Sequence, residues 1–184
     1  MSTIELNTFN NSWYKPGAGK LKQLLWYYAN LLIVKNRWVP VSGIKVMVLR
    51  TFGAQLGKGI NIKPGINIKY PWRLTIGNNV WLGEGVWIDN LGNVVIEDNV
   101  CISQGALLLC GNHNYKKTTF DLLVGDITLK QGCWVGAKSV VCPGVTVGSH
   151  AILVVGSVAT KNLDANGIYQ GNPAVKVRER VIVE

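Results

Sequence analysis

From Leu56 onward an aliphatic side chain recurs at every sixth residue. The series runs Leu56, Ile62, Ile68, then Ile76, Leu82, Ile88, then Ile96, Ile102, Leu108. After an interruption it returns at Leu129, Val135, Val141, Val147 and Leu153, with Ala159 closing it. A period of six matches neither the alternation of a half-buried strand nor the 3.6-residue period of a helix. Three residues beyond the aliphatic, Gly or Asn stands at 59, 65, 79, 85, 99, 105, 132, 144 and 156, and the exceptions are Pro71, Leu91, Lys138 and His150. Gly and Asn enter the left-handed backbone region at least cost. The spacing therefore predicts a corner every six residues, with a short strand between corners. Four residues beyond the aliphatic comes a small or branched side chain, such as Val80, Ala106, Cys133, Ser139 or Ser157, suited to point inward at a tight corner. Three such units make one triangular coil, and stacked coils bury a continuous aliphatic core.

The register breaks three times. Leu56, Ile76 and Ile96 are spaced by twenty residues, so extra residues enter after Ile68 and after Ile88. The long interruption follows Leu108. Ile68, Ile88 and Leu108 are stacked equivalents, so all three insertions leave the prism at one corner. That corner collects Tyr70-Pro71-Trp72, Asp89-Asn90-Leu91 and the loop 109–126. Loops on a rigid scaffold commonly carry function, and this edge is the expected site.

Composition agrees with a folded domain. Charged residues make up 16% of the 184, below the usual quarter, and aliphatic residues abound, which excludes intrinsic disorder. Cys101, Cys110, Cys133 and Cys142 show no paired spacing and read as reduced thiols rather than disulfides or zinc ligands. No apolar run reaches membrane-spanning length, and the N-terminus lacks the features of a signal peptide, so a cytoplasmic protein is expected. The net charge of +9 is uneven: residues 1–50 hold +6 of it. No basic–aromatic groove accompanies that charge, so nucleic acid is not the expected partner.

The repeats Ile76-Gly77-Asn78-Asn79-Val80, Leu82-Gly83-Glu84-Gly85-Val86 and Val147-Gly148-Ser149-His150-Ala151 resemble the hexapeptide-repeat family. The resemblance implies an all-β solenoid, a left-handed parallel β-helix with an N-terminal helical cap segment and a protruding loop. In that reading residues 1–55 are the helical or extended cap, 56–163 the β-helix with loop 109–126, and 164–184 a C-terminal tail of one single domain. The handedness comes from the resemblance alone, because crossovers between parallel strands are ordinarily right-handed. Gly111-Asn112-His113 matches the family's histidine motif, and Asn11-Ser12-Trp13-Tyr14, Lys69-Tyr70-Pro71-Trp72 and Val86-Trp87-Ile88-Asp89-Asn90 extend the likeness to colanic-acid-type O-acetyltransferases.

That family moves acetyl from acetyl-coenzyme A to a sugar hydroxyl. The resemblance implies His113 as catalytic base, no resident metal, and a carbohydrate acceptor. A neutral imidazole suits that role, because its ordinary pKa, about 6.5, lets it take a hydroxyl proton as the oxygen attacks the thioester. His150, at a repeat corner, reads as structural. Asp89 and Asn90, one coil below the loop, are expected to bind acceptor hydroxyls or orient His113, or else to cap the corner. Tyr115 and Trp134 join them as substrate-binding candidates, and Asp121 is a second candidate orienter. Cys110, three residues from His113, is a weaker candidate nucleophile. Trp134-Val135-Gly136-Ala137 resembles the coenzyme A segment. The implied cofactor-binding set is Trp134, Gly136, Ala137, Val155, Gly156, Thr160, Lys161, Asn172, Pro173, Lys176 and Arg178, with Arg180 a further candidate for the phosphates. The coenzyme pockets of this family lie between subunits, so a homotrimer is implied.

Leu21, Leu24, Leu25, Tyr28, Leu31 and Leu32 recur at helix-like spacing within residues 20–35. Two readings stay open, with the first favoured: a helix capping the open end of the solenoid, or peripheral contact of residues 15–50 with an anionic membrane presenting a lipid-linked oligosaccharide. A non-catalytic β-helix scaffold docked at the membrane is the alternative to an enzyme. A metal-dependent β-helix enzyme would need about three histidine ligands per site, and this chain has two histidines in all.

Overall fold

The computed structural model describes residues 3–183. Met1, Ser2 and Glu184, the outermost residues of the expected cap and tail, lie outside the described residues. The chain winds as a left-handed parallel β-helix of about six turns. Three parallel sheets form the faces of a prism. Leu56, Ile76, Ile96, Leu129 and Val147 stack in register on the first face, and Leu163 bridges to Val147 above them. Ile62, Leu82, Ile102, Val135, Leu153 and Tyr169 form the second ladder. Ile68, Ile88, Leu108, Val141 and Ala159 form the third. From Ile62 to Ala159 every aliphatic residue of the six-residue series is buried, and so are the small residues from Val80 to Ser157 that follow the corners.

The corners have the expected physical cause. All nine Gly and Asn positions singled out by the spacing have positive φ. Lys138 (φ 55°) and His150 (φ 59°) adopt the same conformation without the residue type that makes it cheap. Pro71 and Leu91 do not, because they lie in the insertions. Those insertions, at 69–73, 90–93 and 110–126, all leave between the third face and the first, as the register breaks require.

The lower end of the prism is closed by α2, Ser42–Thr51. Its side chains satisfy groups that the first coil would otherwise leave unpaired. Lys45 Nζ donates to the Lys63 carbonyl (2.9 Å), Arg50 to the Leu56 and Gly57 carbonyls, and Ser42 Oγ accepts from the Ile62 N–H. Burial holds the Lys45 ammonium below its ordinary pKa. The helix flagged by periodicity, α1 (Lys20–Ala29), sits elsewhere, continued by a π-helical turn at Asn30–Val34. It lies against the third face, where Trp26 Nε1 donates to the Ile68 carbonyl and Asn30 Nδ2 to Asn67 Oδ1. Trp26 and Val34 are its buried residues. The stripe Leu21, Leu24, Leu25, Tyr28, Leu31 and Leu32 is exposed, and of these Leu31 also borders the cavity against the third face. The apolar periodicity thus marks the exposed side of α1, and α2 provides the cap over the first coil.

The upper end also differs from a plain tail. Within 164–184, Gly167–Gly171 and Ala174–Glu179 form an antiparallel hairpin. Its first strand extends the second face, because Tyr169 takes the inward position above Leu153.

Candidate active site

His113 ends the strand Gly111–His113, which pairs antiparallel with Leu122–Val124. The long excursion is therefore a hairpin standing on the insertion corner. His113 Nδ1 lies 2.9 Å from the Phe120 carbonyl oxygen. A carbonyl only accepts, so Nδ1 carries a proton and donates to it; in the neutral ring that tautomer leaves the lone pair on Nε2. The imidazole also stacks on the Phe120 ring, with centroids 4.4 Å apart and planes 7° from parallel. Phe9 tilts over the imidazole at 5.7 Å. Phe120 holds φ 50°, a costly conformation for an aromatic residue, and this turn aims its carbonyl at the histidine.

The N-terminal segment straps this corner. The Glu5 N–H donates to the Thr118 carbonyl at the hairpin tip (2.9 Å). Tyr14 Oη donates to the Leu91 carbonyl (2.8 Å). Trp72 Nε1 donates to the Pro16 carbonyl, and Arg73 bonds the carbonyls of Lys15, Pro16 and Leu91. Burial pushes the Tyr14 phenol up to about 12, with the nearby Arg73 charge opposing. Together Phe9, Asn11, Tyr14, Pro16, Lys69, Tyr70, Leu91, His113 and Leu122 line an open cavity of about 460 Å³. Sequence reasoning does not reach Phe9, Asn11 and Tyr14 as site residues. The only signal near them is the Asn11–Tyr14 motif, and nothing in its spacing ties it to residue 113.

The other candidates at this corner separate clearly. Asn90 is fully buried. Its Nδ2 donates to the Tyr70 carbonyl (2.6 Å) and its Oδ1 accepts from the Tyr70 N–H (2.9 Å). That corrects the expectation that Asn90 meets acceptor hydroxyls or orients His113: its side chain clamps two stacked insertions. Asp89 faces Lys69 Nζ at 3.1 Å and lines a neighbouring cavity rather than the histidine's. Asp121 does not orient His113 either. Its carboxylate accepts from Thr119 Oγ1 (2.6 Å) and Lys117 Nζ (2.9 Å), which hold its pKa below the ordinary value. Tyr115 stands exposed at the hairpin tip, outside the cavity lining. Cys110 is buried, and burial pushes its thiol up to about 12, which leaves it without nucleophilic thiolate.

The implied coenzyme residues fall on different edges. Trp134, Gly136, Ala137 and Val155 line one groove of about 380 Å³ at the corner between the second and third faces, with Ser103 and Gln104. Trp134 Nε1 donates to Ser103 Oγ (2.9 Å). Gly136 is required there, since a Cβ would stand 2.6 Å from both the Leu153 oxygen and the Val155 nitrogen. Gly156 forms the positive-φ turn beside Val155. Thr160 and Lys161 instead follow the last strand of the third face, on the His113 edge, and both are exposed. Asn172 and Pro173 form the turn of the upper hairpin. Lys176 pairs with Glu179 (2.7 Å), and Arg180 Nη1 donates to the Gly132 and His150 carbonyls, so Arg180 anchors the hairpin. Arg178 is exposed and makes no ion pair among the described residues.

A prism built from six-residue units, with His113 on the hairpin that leaves the register, defines the hexapeptide-repeat acetyltransferases as a class. The colanic acid biosynthesis acetyltransferase WcaF of Escherichia coli (strain K12) is 35% identical to this chain over 170 residues, spanning 91% of this chain and 92% of that protein. At that identity and coverage the chain belongs to the same acetyltransferase family. Galactoside O-acetyltransferase of the same organism is 27% identical over 135 residues, covering 72% of this chain and 66% of that protein. Among solved structures, a hexapeptide-repeat acetyltransferase from Vibrio cholerae O1 biovar eltor, complexed with acetyl coenzyme A, superposes with a TM-score of 0.79 at 16% identity, covering 89% of both chains. A galactoside acetyltransferase in complex with coenzyme A gives 0.76 at 24% identity, covering 86% of this chain and 80% of that one. Both share the fold. Comparison with protein-family models returns no match.

Proposed function

We propose that the protein transfers acetyl from acetyl-coenzyme A to a hydroxyl of a carbohydrate acceptor in exopolysaccharide assembly, with His113 as general base. One observation carries the mechanism: the hydrogen bond from Nδ1 to the Phe120 carbonyl, which leaves Nε2 as a proton acceptor. Nε2 takes the hydroxyl proton as the oxygen forms its bond to the thioester carbon. When the tetrahedral adduct collapses, the carbon–sulfur bond breaks and the imidazolium returns the proton to the leaving thiolate. No acyl-enzyme is needed, in keeping with the protonated, buried Cys110.

The histidine cavity and the Trp134 groove stand on different corners of one prism. In the proposed homotrimer, the His113 corner of one subunit meets the Trp134 groove of the next, and acetyl-coenzyme A lies between them. Arg178 and Lys161 are the exposed cations available to its phosphates. The proposed setting is the cytoplasmic face of the membrane, with a lipid-linked oligosaccharide as acceptor. The exposed stripe of α1 supports this reading, and so does charge: no carboxylate occurs between Glu5 and Glu84, a span with eleven Lys and Arg.

Purified protein incubated with acetyl-coenzyme A and candidate glycans releases free thiol, and His113→Ala lowers that rate by about 10²–10⁴. Unchanged turnover overturns the base assignment. Absence of coenzyme A binding overturns the enzyme reading in favour of a membrane-docked scaffold.

A further inference from the structure

We propose that the cavity between the π-helical turn and the third face is a second glycosyl subsite, holding the sugar residue next to the one presented to His113. It rests on the carbohydrate reading of the His113 site. The cavity measures about 360 Å³, within the range of about 300–1,000 Å³ typical of small-molecule pockets. Lys69 and Tyr70 line both this cavity and that of His113, so the two adjoin.

Three features point to a hydroxyl-rich occupant. Asn30 Oδ1 and Asp89 Oδ1 are the two buried side-chain oxygens that lack a hydrogen-bond donor among the described residues, and both residues line this cavity. Lys69 Nζ stands 3.1 Å from Asp89 Oδ1 as a charge partner without hydrogen-bond geometry. Buried unpaired acceptors are costly and call for a donor; sugar hydroxyls, after a small torsion of each side chain, supply it. Asn30 also opens the π-helical turn, a helix irregularity that concentrates at functional sites. Finally, Tyr27, Tyr70 and Trp87 give the cavity aromatic walls, against which the apolar face of a pyranose packs while its hydroxyls turn to Gln23, Asn30 and Asp89. A polyanionic ligand fits less well, because Asp89 offsets the charge of Lys69 and only Lys35 is left over at the cavity.

The test compares kcat/KM for a monosaccharide acceptor with that for di- and trisaccharides ending in the same sugar. The longer acceptors are expected to be preferred by about tenfold or more, and Asn30→Ala to remove most of that preference. Trp87→Ala is a second variant should Asn30→Ala not fold. Oligosaccharide binding is also followed by tryptophan fluorescence in otherwise wild-type and Asn30→Ala protein, without acetyl-coenzyme A. Equal use of short and long acceptors, or a preference and binding untouched by both variants, overturns the subsite. Oligosaccharide binding that depends on Asn30, with no acetyl transfer to any glycan, keeps the subsite and overturns the acetyl-transfer reading instead.

Discussion

Single residues set the corners of the prism, and their backbone conformations can be tested one at a time. Lys138 holds a conformation that costs a side-chain-bearing residue about 1–2 kcal/mol, while glycine gives back about 0.4–1 kcal/mol through unfolded-state entropy. Lys138→Gly should therefore raise stability by about 0.5–1 kcal/mol in urea unfolding. Gly132→Ala should do the reverse and more strongly, because φ is +67° and a Cβ would run into the His150 ring. Tyr14 provides a pH signature. Its folded pKa, about 12, lies above the ordinary value of 10.0, so the folded state holds the phenol proton more tightly. Its contribution is fully present below pH 10.0 and is lost as pH rises toward about 12. Tyr14→Phe should flatten the fall of thermal stability across that window. Cys110→Ala should retain acetyl transfer, and Cys110 should resist alkylation in the folded protein at mildly alkaline pH, because burial keeps the thiol protonated.

Among the elements, the histidine hairpin does the positioning. His113 is held from two sides by Phe120, through its carbonyl and through its ring. Phe120→Ala keeps the carbonyl and removes the stack. The expected result is a fall in kcat of about tenfold or more with a smaller change in KM, because the imidazole wanders from its attack position. An equal rise in KM with kcat unchanged would assign Phe120 to acceptor binding. Helix α1 carries the other element-scale prediction. Its exposed stripe, with Lys20, Lys35 and Arg37 exposed nearby, should sediment the protein with phosphatidylglycerol vesicles and not with phosphatidylcholine vesicles at low salt. The double variant Leu24→Glu/Leu31→Glu should abolish sedimentation; if it leaves vesicle binding intact, the stripe has another partner. Periodicity could place the helix and its apolar stripe, but not the direction the stripe faces. Trp26 and Asn30, which hold α1 to Ile68 and Asn67, belong to its other side and carry no periodic signal.

For the whole molecule, the separation of the His113 cavity from the Trp134 groove bears on the proposed shared site. His113 and Trp134 lie on separate corners, so a lone chain cannot close a cavity containing both, and light scattering should give a trimer in solution. A monomer with full activity would remove the shared-site reading. The solenoid itself was legible because each six-residue unit repeats one local solution: aliphatic inward, positive-φ corner, small residue after it. Such repetition writes a tertiary pattern into local sequence. The insertion corner was legible for the same reason, since Ile68, Ile88 and Leu108 stay in register while the residues after them do not. So was the place of His113, on the longest of those insertions.

What only the tertiary structure decided lies where distant segments meet without a repeat to announce it. Phe120 rather than Asp121 or Asp89 orients His113, because a strained turn aims a backbone carbonyl, and a backbone group leaves no mark in side-chain sequence. Asn90 serves the Tyr70 backbone, and Phe9 and Tyr14 reach the histidine corner through contacts between residues far apart in the chain. Residue order alone determined the coil, its corners and the edge that leaves register, because those depend on neighbours six residues apart. Which side chains face the His113 imidazole, and which spend their polar groups on the scaffold, depends on long-range packing that only the folded chain brings together.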